Sequence, residues 1–189
     1  YQLLITHDPE VEYYQDYYGN RVANFNNLES HEEMVIESRM TVRVNHSLKI
    51  PEIDNTTIKD IEKEKSKNIT LLRLSYPEVI EKQREIEAIL RAIDAASKPI
   101  IEIAQLCNQY IFDNFTYTKG ITNIETTIDE ILELKKGVCQ DFAHVLLQLL
   151  RTIGIPSRYV SGYICPNESG LRGEGATHAW VEIYTPTQG

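Results

Sequence analysis

The chain has 189 residues, a net charge of −9 and three widely spaced cysteines. That length can bury a core without disulfide support. The charge disfavours a nucleic-acid partner, whose phosphates would be repelled, and no apolar run approaches the roughly 20 residues needed to cross a bilayer. An odd set of cysteines makes no disulfide framework and fits a reducing compartment, so a cytoplasmic location is expected. The Asn-X-Ser/Thr matches at Asn45, Asn55, Asn68, Asn114 and Asn167 are then read as chance. No signal peptide is visible, although the chain begins at Tyr1 rather than Met.

The first third reads as β. Tyr1 to Thr6 is a short strand-like run, and Tyr13 to Arg21 is rich in tyrosine and closes on Gly19-Asn20, a turn signal. The tyrosines at 13, 14, 17 and 18 are read as packing a sheet edge. Met34 to Val44 alternates most clearly, with Met34, Ile36, Met40, Val42 and Val44 on one face and Glu37, Arg39, Thr41 and Arg43 on the other. Residues 45–76 lack a strong period, and the charged stretch Lys59 to Lys67 reads as a solvated face. A domain boundary is placed near Pro77.

From Glu78 the pattern turns helical, with Ile86, Ile89, Leu90 and Ile93 on one face. Ser97 and Pro99 restart the chain in a helix carrying Ile100, Ile103, Ala104, Cys107, Tyr110 and Ile111, and Cys107 is read as core. Thr127 with Glu130 spells a capping box, and Gly137 is expected to end that helix in a left-handed conformation. Beyond Cys139, Phe142, Val145, Leu146, Leu149, Leu150 and Ile153 make a wide apolar stripe that predicts a buried helix, stopped by Gly154. Arg158 to Tyr163 and Thr177 to Tyr184 read as strands, joined by a glycine-rich loop from Pro166 to Gly175 that is a candidate gate. In the last strand His178, Trp180 and Glu182 share one face, while Ala179, Val181 and Ile183 share the other.

Cys139 opens its helix, and His178 heads a strand able to lie beside it. A thiol attacks carbonyls as thiolate, and an unperturbed one is only a few per cent ionised at neutral pH. Unpaired N–H groups at a helix start favour the anion, as does an imidazolium in contact with it. Spacing alone does not separate this pairing from two ordinary residues. A zinc reading of Cys139, Asp141, His144 and His178 is weak, because Cys139 and His144 are too far apart in sequence to share a helix face. His144 reads instead as a buried hydrogen-bonded residue. Cys165 has no evident base, and His7, His31 and His46 carry no visible constellation.

The run Gly137-Val138-Cys139-Gln140-Asp141-Phe142-Ala143-His144 comes first. Then follow Leu150-Arg151, Gly154-Ile155-Pro156, Arg158 to Tyr163, and Ala176-Thr177-His178-Ala179-Trp180-Val181-Glu182. Together these resemble the bacterial transglutaminase-like proteins of the papain-like cysteine-enzyme superfamily. Asp16-Tyr17-Tyr18-Gly19-Asn20 and His31 likewise resemble that family's amino-terminal β module. The resemblance implies an α+β fold in which Cys139 opens a central helix packed on an antiparallel sheet carrying His178. In the family the His strand continues through a Gly-Trp step to an Asp that orients the imidazole. Here the sequence ends at Gly189, where the Gly of that step falls, so the Asp is not in it. A fragment is expected, with impaired activity because His178 is free to take the wrong tautomer. Asp141, on the Cys helix, is a poor substitute.

The expectations are therefore an N-terminal β-rich module over residues 1–76 and a cysteine-enzyme core over 77–189. The activity expected is thiol-dependent acyl transfer on peptide or protein amides. Cys139 and His178 are the catalytic pair, with Gln140, Tyr163, Thr177 and Trp180 in binding or supporting roles. No metal, cofactor, nucleic acid or membrane is expected, and the oligomeric state is not read. The alternative is a catalytically incomplete binding or scaffolding module on the same fold.

Overall fold

Residues 1–43, 54–163 and 177–187 are described by the computed structural model, and they fall into two units that divide between Ile50 and Pro51. In the first unit β1 (Gln2–Ile5) pairs antiparallel with β4 (Ile36–Arg39), and β2 (Val11–Gln15) pairs antiparallel with β3 (Arg21–Phe25). The turn between β2 and β3 is made by Asp16, whose carboxylate accepts the N–H groups of Tyr18 and Asn20 at 2.8 Å each, and by Gly19 at φ +82. The alternation after Met34 yields only β4. Its apolar residues Met34, Ile36, Met40 and Val42 are all exposed, so among the described residues they do not form the dry face expected of them. Val44 lies outside the described residues. The tyrosines decorate the hairpin: the Arg21 guanidinium sits 4.1 Å from the Tyr13 ring centroid, and Tyr17 meets Tyr18 edge to face. His7 and His31, unconnected in the sequence reading, stand edge to face 6.2 Å apart.

The second unit begins before Pro77. α1 (Ile58–Lys65) and α2 (Ile69–Arg73) belong to it. Ile61 is wholly buried, Lys65 donates to the Gly154 carbonyl at 3.1 Å, and the Ser157 N–H donates to the Leu74 carbonyl at 3.0 Å. The charged run that reads as a solvated face hides a helix, because the buried stem of Lys65 packs as an apolar side chain. The segment after Glu78 is not yet helical. It is pinned instead by Gln148, which exchanges two 2.9 Å bonds with the Glu78 backbone, and by Asp129, which accepts from Glu81 and Lys82. α3 (Gln83–Ala92) and α4 (Ile100–Asn114) follow, the latter starting directly after Pro99. Cys107 on α4 is wholly buried, which pushes its thiol up to about 12.

β5 (Thr116–Tyr117) leads to α5 (Ile128–Leu134), capped by the Thr127–Glu130 box. Lys135, not Gly137, takes the left-handed conformation that ends α5, at φ +51. Gly137 lies in β6 (Lys136–Gly137), paired parallel with β5. α6 (Cys139–Thr152) is the central helix and packs on α3, α4, α5 and on both strands of an antiparallel ribbon, β7 (Ser157–Tyr163) and β8 (Thr177–Ile183). Val145, Leu149 and Leu150 are wholly buried, each contributing roughly 1.5–3 kcal/mol. Gly154 at φ +80 stops the helix. Among the described residues no helix is long and apolar enough to cross a membrane.

Candidate active site

Cys139 is half-buried at the first position of α6. The residue before it, Val138, stands at the N-cap with extended backbone and carries no acceptor. Two other helices follow the usual rule, α2 and α5: Asn68 accepts from Thr70 and Leu71, and Thr127 accepts from Glu130. At the start of α6 the Phe142 N–H reaches the Val138 carbonyl at 3.1 Å. Among the described residues nothing accepts from the N–H groups of Cys139 and Gln140. Such donors, backed by the helix dipole, suit a developing negative charge beside the sulfur.

The turn is held from the other side. Asp141 is buried, and its Oδ2 accepts the Val138 N–H at 2.7 Å and the Thr122 hydroxyl at 2.7 Å. Gly137 makes room for this carboxylate, since a Cβ there would stand 2.7 Å from Oδ2. Sequence reading weighed Asp141 as a weak zinc ligand and as a poor substitute for a triad member, and did not reach Thr122. The signal was present in Asp141 at the third helical position, where it can reach back to the cap.

β7 leaves from the C-terminal end of α6 and β8 returns antiparallel to it, with His178 opposite Gly162. Both strands pack on α6, so His178 sits on a strand beside the helix that Cys139 opens. Val181 and Ile183 pack on the core, and alternation puts His178 on the opposite face with Trp180 and Glu182. Among the described residues no hydrogen bond joins Cys139 to His178. The Trp180 ring lies over Gly162, where a Cβ would stand 2.4 Å from its Cη2, and so flanks the half-buried His178. Trp180 is 40% exposed; Tyr163, Thr177 and Gln140 are exposed as well.

His144 is not buried as expected. It is exposed and stacks on Tyr159, with ring centroids 5.3 Å apart at 23°. From α6 its ring meets β7 outside the core. Burial, and then the neighbouring charges of Cys139 and Asp141, push the Tyr159 hydroxyl up. Tyr159 thus faces the candidate site, a position that alternation in β7 could have indicated. Among the described residues no three His, Cys, Asp or Glu groups gather to hold a metal. Cys165, His46 and the loop at 166–175 lie outside the described residues.

Comparison with known proteins agrees with this architecture. The chain is 36% identical over 121 residues to an uncharacterized protein of Mycobacterium tuberculosis, covering 62% of this chain and 38% of that protein. It is 31% identical over 102 residues to a protein-glutamine gamma-glutamyltransferase of Pseudomonas aeruginosa, covering 50% of this chain and 15% of that one. The chain thus spans well under half the length of these relatives. A solved Cytophaga hutchinsonii structure, described as a candidate cysteine protease, superposes with a TM-score of 0.59 at 19% identity, covering 97% of this chain and 60% of that one. At that identity the likeness concerns the fold, which is α+β. The sequence profile of the transglutaminase-like superfamily matches residues 87–189, more than half of the chain, and the chain belongs to that superfamily.

Proposed function

We propose that this chain carries out thiol-dependent acyl transfer on amide bonds. The observation that supports the reading is Cys139, half-buried at the uncapped start of the central helix α6, on which the strand carrying His178 packs. The Cys139 thiolate adds to an amide carbonyl and forms a C–S bond. The oxygen takes up the electron pair beside the Cys139 N–H. The C–N bond then breaks, the amine leaves with a proton from His178, and a thioester remains on Sγ. Attack by water or by a second amine, giving its proton back to His178, releases the acid or the new amide and restores the thiol. Water as acceptor gives hydrolysis and an amine gives transamidation; hydrolysis is slightly favoured because water is always at hand. Trp180, Tyr163, Thr177 and Gln140 are proposed to line the approach to the sulfur, and the substrate is a peptide or protein amide.

A second reading is a binding or scaffolding module with an incomplete catalytic set. What favours it is the strand alternation that turns His178 to the face away from Val181 and Ile183. Intact-mass measurement decides between the two. The protein is incubated with a peptide-amide library, with and without a primary amine. Acyl transfer predicts a mass gain at Cys139 and turnover that Cys139→Ala abolishes. A binding module predicts no adduct, and no difference between parent and variant.

A further inference from the structure

The strongest unexplained feature near the candidate site is the buried carboxylate of Asp141. We propose that Asp141, anchored by Thr122, is the positioning residue that holds the turn carrying Cys139, on the reading that Cys139 is the nucleophile. A valine at the N-cap cannot fix its own helix start. The turn is fixed instead by one carboxylate oxygen, which takes a 2.7 Å bond from the Val138 N–H on one side and a 2.7 Å bond from the Thr122 hydroxyl on the other. Thr122 comes from the segment between β5 and α5, so this chain of bonds ties three parts of the molecule together: that segment, the entry to α6, and the first turn of α6 itself. Gly137 completes the device, because any side chain there would strike the carboxylate.

The division of labour follows. Capping by a Ser, Thr or Asp side chain at position 138 would stabilise the helix start, but it would spend first-turn N–H groups on that side chain. Reaching back from Asp141 satisfies only the Val138 N–H, which lies ahead of the helix. The N–H groups of Cys139 and Gln140 are left for a reacting oxygen. Asp141 acts through Val138 and touches no substrate, so its contribution is geometric. Its charge works the other way, since an anion near the sulfur disfavours the thiolate.

Geometry and charge therefore predict opposite signs, and alkylation of Cys139 by iodoacetamide across pH separates them without any amide substrate. Thr122→Val keeps the shape but removes the donor, leaving the turn looser and the carboxylate less compensated. The alkylation profile is expected to move to higher pH, with the rate at pH 6 falling about threefold or more. Thr122→Ser keeps the hydroxyl and is expected to restore the parent profile to within about twofold. Asp141→Asn retains an oxygen for the Val138 N–H and loses only the charge, so its profile stays or moves to lower pH. An unchanged profile in Thr122→Val, or an Asp141→Asn profile displaced upward like that of Thr122→Val, would overturn the proposal. Melting curves taken alongside show whether each variant is folded. Because alkylation needs only the thiol, this result stands apart from whether the protein turns over amides.

Discussion

Two side-chain environments distinguish the cysteines the structure describes. Cys107 is sealed inside α4 with its thiol pushed up to about 12, whereas Cys139 is half-buried at a helix start. Limited alkylation at neutral pH, located by peptide mass mapping, is expected to mark Cys139 and leave Cys107 untouched until the protein unfolds. Labelling of Cys107 in the folded protein would contradict the burial assigned to α4. A second residue-level prediction concerns Gly162. Trp180 is the only tryptophan in the chain, so its fluorescence reports this contact alone. Gly162→Ala places a methyl where the indole lies. It should shift the emission and cost about 1–3 kcal/mol, typical of an overpacked contact. An unaltered spectrum and melting temperature would mean that the ring does not rest there.

At the scale of elements, α6 is both the core and the carrier of the site. Leu149→Ala is expected to cost about 2–5 kcal/mol in denaturant titration, because the side chain is wholly buried among helices. Gly154→Ala tests the other end of the helix. Its φ of +80 and the Lys65 ammonium 2.9 Å from an added Cβ predict a loss of about 1–2 kcal/mol. The apolar stripe of α6, the caps of α5 and the alternation of β8 were legible because each is a local pattern with one reading. α1 was not, since it meets the core through Ile61, the partly buried Ile58 and the stem of a lysine, too few apolar positions to mark a face. Gly137 shows the same limit. Its sequence position suits a helix end, but the space it leaves serves Asp141, a neighbour visible only after folding. Cys139 and His178 stand out in the sequence as candidates by their motifs, whereas Thr122 meets Asp141 through tertiary packing that no local period announces.

For the whole molecule, depressed carboxylates set the acid limit of stability. The Thr57 hydroxyl, then the Thr57 N–H and Lys63, lower Asp60 to about 2. The Thr127 N–H and hydroxyl lower Glu130, and Thr56 lowers Asp54, which also accepts from Thr187 at 2.9 Å. Groups whose folded values lie below their unfolded ones stabilise the fold above the unfolded value. That contribution fades as pH falls through the folded value. Stability is therefore expected to be level near neutrality and to fall below about pH 4, followed by thermal melts. A melting temperature that rises on acidification from pH 5 to 3 would contradict this sign. The account as a whole rests on a working partnership between Cys139 and His178. Its most direct test is the rate of Cys139 alkylation from pH 5 to 9 in the parent and in His178→Ala. Partnership predicts that the parent reacts at pH 6 about tenfold faster than the variant; two superimposable profiles would show that the imidazole does not act on the thiol.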